Sequence, residues 1–145
     1  MSGLLLTAGS SQMVPTLVSD KVIRPESLPG PATSRRTFAQ GDVLALYAEL
    51  YDNIPSRQRH TLEVAIRLVD ESAKAVFSAR ETHDGATLQG AGNASTLAIV
   101  RQIPLNTVPP GRYLLQVEAT PRGVRDAKPL TRETVVTIVS ATITR

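Results

Sequence analysis

The chain of 145 residues has no cysteine and no tryptophan. Without thiols it forms neither disulfides nor thiolate metal sites, so packing and backbone pairing must hold it together. No apolar run approaches the roughly 20 residues that a membrane-spanning helix needs, and no membrane span is expected. Gly3–Ala8 is too short for the apolar core of a signal peptide, and no cation precedes it. The aromatics are only Phe38, Tyr47, Tyr51, Phe77 and Tyr113. A core must therefore be built from Val, Leu, Ile and Ala, a mix that suits strands. Nucleic-acid binders concentrate charge on one face and interleave aromatics with it, whereas here 16 cations against 13 anions give a net charge of only +3. A nucleic-acid partner is not expected.

Seven segments read as strands: Gly3–Ala8, Val43–Tyr51, Thr61–Asp70, Ala75–Glu81, Ser95–Ile103, Arg112–Thr120 and Thr131–Ser140. The cleanest sets Leu62, Val64, Ile66 and Leu68 against Thr61, Glu63, Ala65 and Arg67, a period of two that no helix shows. Val108-Pro-Pro-Gly-Arg-Tyr113 is a turn that feeds Tyr113, Leu115, Val117 and Ala119 onto one face of a strand. A Tyr placed there, behind Gly111, matches the tyrosine corner of immunoglobulin-like sandwiches, where the ring packs inside and the hydroxyl bonds upstream backbone. Seven short strands with turn signals between them predict an all-β, immunoglobulin-like or fibronectin-III-like sandwich of antiparallel strands, filling one domain over residues 1–145. Two segments read ambiguously. In Ser95–Ile103, Arg101 shares a face with Leu97, Ile99 and Ile103, which a bulge near Arg101 would reconcile. Thr131–Ser140 offers Thr134, Val136 and Ile138 against Val135, Thr137 and Val139, so cover on both faces is expected. Residues 9–42 form a long Pro-rich connection, wrapping the surface or mobile, with room for a short edge strand in Val14–Val18 or Lys21–Arg24.

In that topology the connections Asp52–His60, Thr82–Ala94 and Pro121–Leu130 emerge together, while Glu71–Lys74 and Pro104–Gly111 make tighter turns at the other end. The loop-rich end carries Arg57, Arg59, Arg122, Arg125 and Lys128, guanidinium-rich and suited to a carboxylate or phosphate. His60, His83 and Asp84 are the acid-base or ligand candidates nearby, but two histidines without fixed spacing do not make a zinc site. No Ser or Cys sits in a nucleophile-elbow context. Gly85, Gly90 and Gly92 precede a strand instead of a helix, so they read as a turn and not as a phosphate cradle. Asp42 and Asp70-Glu71 read as strand-boundary residues. No catalysis, metal or cofactor is expected.

Four stretches carry a family resemblance: Met1–Thr7, Arg35–Asp42 leading into Leu46–Asp52, Ile103-Pro104-Leu105, and Pro110-Gly-Arg-Tyr113. Together they resemble the domain that follows the von Willebrand factor A-like domain in exported acidobacterial proteins. The resemblance implies a non-enzymatic accessory module of a longer extracytoplasmic chain, periplasmic or secreted, whose partner is a protein or a neighbouring domain. It carries no functional residues over. Two readings follow: an interaction or spacer module that binds through the loop-rich end or an edge strand, and a small-ligand or carbohydrate-binding sandwich with Tyr47 and Tyr51 as its platform.

Overall fold

The computed structural model describes residues 5–8, 34–54, 58–85 and 95–141. Eight strands run in chain order: β1 Leu5–Ala8, β2 Thr37–Ala39, β3 Val43–Asp52, β4 Thr61–Val69, β5 Ala75–Asp84, β6 Ser95–Pro104, β7 Gly111–Arg122 and β8 Leu130–Val139. They form two sheets, β1-β3-β6 and β2-β8-β7-β4-β5. All pairs are antiparallel except β2 on β8. The chain changes sheet after β1, β2, β3, β5 and β6, while β4–β5 and β7–β8 stay within the five-stranded sheet, as in an immunoglobulin-like sandwich.

The period-two pattern sets the packing. Leu62, Val64, Ile66 and Leu68 of β4 are at most 2% exposed. They meet Leu44, Leu46, Ala48 and Leu50 of β3 and Leu115, Val117, Val136 and Ile138 of β7 and β8 in one core. Burying each Val, Leu or Ile fully contributes on the order of 1.5–3 kcal/mol, so these aliphatic rows, without Trp or Cys, suffice to hold two sheets together. Tyr113 is buried among them, and its hydroxyl donates to the Pro109 carbonyl at 2.6 Å. Gly111 opens β7 beside that ring.

Several expectations change. β2 lies inside the Pro-rich connection: the Thr137 amide donates to the Arg36 carbonyl and the Gln40 amide to that of Val139, while Phe38 inserts into the core at 1% exposure. The edge-strand candidates Val14–Val18 and Lys21–Arg24 lie outside the described residues. No bulge occurs at Arg101, because β3 and β6 pair without interruption from Val43↔Pro104 to Asp52↔Ser95. Arg101 faces inward and reaches past the sheet edge, its guanidinium 3.6 Å from Glu81. The bulge falls instead at Leu68/Val69 against β5. β8 is covered on one face only: Val136 and Ile138 are buried, and Val135 and Val139 stand on the outer face, exposed.

Candidate functional site: a basic cleft at the loop-rich end

The registers Thr61↔Asp84 and Thr61↔Arg122 place the start of β4 beside the ends of β5 and β7, and Asp52↔Ser95 sets the other sheet's ends there. The β3–β4, β5–β6 and β7–β8 connections therefore leave the sandwich at one end. Both paired strands run further than the sequence predicts, β5 to Asp84 and β7 to Arg122, so these two residues stand on ladder rungs instead of loops.

Beneath the loops lies a buried pair. His60 Nε2 is 2.6 Å from Asp52 Oδ2, with side chains only 1% and 3% exposed. Nδ1 of the same ring lies 2.7 Å from the Gln58 carbonyl, and Asp52 Oδ1 accepts the Ile54 amide. Burial, the largest influence on the imidazole, favours its neutral form, yet the Gln58 carbonyl and the Asp52 carboxylate outweigh it and hold its pKa above the ordinary histidine value. The Gly85 amide donates to the His60 carbonyl, and a Cβ on Gly85 would overlap the imidazole ring. Only glycine fits there. Gly123 has φ +85°, in the left-handed region that favours glycine, and packs on the Arg59 carbonyl.

Above this pair opens a cleft of about 550 Å³ lined by Arg59, His60, Thr61, Asp84, Arg122 and Gly123. Arg59 is exposed and makes no ion pair among the described residues. Arg122 is 3.5 Å from Glu63, which Arg80 also approaches at 3.3 Å. Of the predicted cationic set, Arg59 and Arg122 come together. Arg125 and Lys128 are exposed on the β7–β8 connection without lining the cleft, and Arg57 lies outside the described residues. His83 does not join His60. It faces inward on β5, 3.3 Å from Glu81. Among the described residues, no three His, Asp or Glu side chains gather as metal ligands.

The expected platform of Tyr47 and Tyr51 is not a pair of exposed rings. Tyr47 is 8% exposed and Tyr51 47%. Their hydroxyls donate to the two oxygens of Glu49 between them, at 3.0 and 2.6 Å. Burial and that carboxylate push the Tyr47 phenol up to about 12. The physical reason is that β3 is the central strand of its sheet, and residues 44–48 are buried on both faces.

A second cleft, of about 610 Å³, was not anticipated from the sequence. It lies on the outer face of the five-stranded sheet at the opposite end, floored by Val69, Leu114 and Val135 and rimmed by Arg67, Arg112, Asp70 and Glu71. Its charges balance. Asp70 is occupied in its own turn, accepting the Ser72 and Lys74 amides, and these bonds, that of Lys74 first, hold its carboxyl below the usual range.

No family model matches the chain, and no curated protein does. Among solved structures it is similar to the C-terminal domain of wzt, at a TM-score of 0.51 and 9% identity over 73% of this chain. The chain spans 65% of that domain's length. At this identity the likeness concerns the fold alone: both are β-sandwiches.

Proposed function

We propose that this domain is a non-catalytic interaction module that engages an acidic segment of a partner protein, or of a neighbouring domain, through the cleft at its loop-rich end. The observation that carries the reading is the convergence of Arg59 and Arg122 on one cleft above the buried His60–Asp52 pair. Two guanidinium forks suit a carboxylate pair, and loops held on a rigid sandwich are where such folds place recognition. The family resemblance supports the wider setting, an accessory domain within a larger exported bacterial protein. The balanced charge of the sheet-face cleft gives no comparable preference for a ligand of either sign. The test is fluorescence anisotropy with a labelled Asp/Glu-rich peptide. Arg59→Glu combined with Arg122→Glu should abolish binding while leaving the fold intact, since exposed charges contribute little to stability. Equal binding by wild type and the double variant would contradict the reading.

A further inference from the structure

We propose that the domain self-associates through its edge strand: Arg80–Asp84 of β5 pairs antiparallel with the same segment of a second copy about a two-fold axis at Thr82. Among the described residues β5 is hydrogen-bonded on its β4 side alone. Its other side presents a row of backbone donors and acceptors, the template by which sheets extend. A sheet continued across a two-fold axis keeps its outer faces on one side, so residues standing opposite one another share parity along the strand.

Charge then selects the register. An axis at Arg80, Glu81 or Asp84 sets that residue against its own copy, and like charges directly opposite destabilise a ladder. An axis at His83 leaves Arg80 and Glu81 without opposite charges, as does one at Ala79. An axis at Thr82 sets Arg80 against Asp84 of the second copy and Glu81 against its His83, and symmetry repeats both pairs. Arg80, Thr82 and Asp84 are exposed on the outer face. Glu81 and His83 face inward yet stay partly exposed at the edge of the five-stranded sheet. Within the chain Arg80 pairs with Glu63, and Glu81 with His83 and Arg101; these contacts are solvent-accessible and weak enough to be exchanged. The other long edge strand, β6, carries Arg101 as its single charge, so nothing there fixes a register.

The pairing shares Asp84 with the anion-binding cleft, but Arg80 and Thr82 do not line that cleft and Arg59 and Arg122 are not part of β5, so Arg80→Asp and Thr82→Arg test the pairing without altering the cleft lining. Sedimentation equilibrium of the 145-residue chain tests it. Wild type should show a concentration-dependent monomer–dimer equilibrium. Arg80→Asp alone, or Asp84→Arg alone, sets like charges opposite at two rungs and should weaken association about tenfold or more. Mixed one to one, the two variants regain opposite charges at both rungs and should associate about as tightly as wild type. Thr82→Arg stands beside Glu63 within the chain, which favours folding, but brings two guanidinium groups together on the axis, so it should also dissociate the dimer. A wild-type chain that remains monomeric at about 1 mM, a dimer indifferent to Thr82→Arg, or a mixture no tighter than its components would overturn the pairing.

Discussion

The His60 ring, at Nε2, lies 2.6 Å from Asp52 and so ties the residue before β4 in one sheet to the last residue of β3 in the other. A carbonyl oxygen cannot donate, so Nδ1 must carry a proton toward Gln58, and the carboxylate is then best met by a second proton on Nε2. The arrangement favours an imidazolium paired with a carboxylate, and it anchors the floor of the basic cleft.

This anchor gives the fold a defined pH dependence. A histidine whose folded pKa is raised contributes stability that is fully present below its unfolded value, about 6.5, and lost as pH rises through the folded pKa. The difference in melting temperature between wild type and His60→Gln should be largest near pH 5–6 and should shrink toward pH 9. A difference that is constant across this range would contradict the charged pair. Asp52→Ala should cost roughly 3–5 kcal/mol near pH 6, because it leaves a buried cation alone.

Gly85→Ala should destabilise by about 1–3 kcal/mol, since a methyl group there overlaps the imidazole and forces the ring or the β5–β6 connection to move. Combining it with His60→Ala, which vacates that space, should recover part of the loss relative to the sum of the single variants. Chemical denaturation of the four chains measures this coupling. Simple additivity would mean that the close approach has no energetic weight.

Tyr113→Phe should cost about 1 kcal/mol, because the Pro109 carbonyl loses its 2.6 Å donor while the ring stays in place. Tyr113→Leu should cost more by giving up part of the packing as well. A melting temperature unchanged by the Phe substitution would remove the corner from the account.

The six long strands were legible because sustained alternation, as over the seven residues Leu62–Leu68 and Tyr113–Ala119, fits no other element. β2 escaped notice because three residues cannot display a period, and because its partner β8 lies about a hundred residues away. Phe38, an isolated aromatic in polar surroundings, was the available signal. The β4–β5 turn was legible as Glu71–Lys74 but its geometry was not: Ala73 occupies φ 63° where glycine is usual, held by the Asp70 carbonyl accepting the Ala73 amide. At the site, topology brought Arg59 and Arg122 together as the loop lengths implied. The His60–Asp52 pair was missed because Asp52 reads as the first residue of the Asp52–His60 loop and not as the end of β3, and nothing in its spacing from His60 says that both side chains turn inward between the sheets.

Where an acidic partner segment sits is read out by an amide-resolved NMR titration of the labelled chain with an Asp/Glu-rich peptide. Saturable shifts are expected at Arg59, His60, Thr61, Asp84, Arg122 and Gly123, weakening as salt screens the guanidinium groups. Shifts centred instead on Arg67, Arg112 and Leu114 of the sheet-face cleft, or no shifts at all, would contradict binding at the loop-rich end.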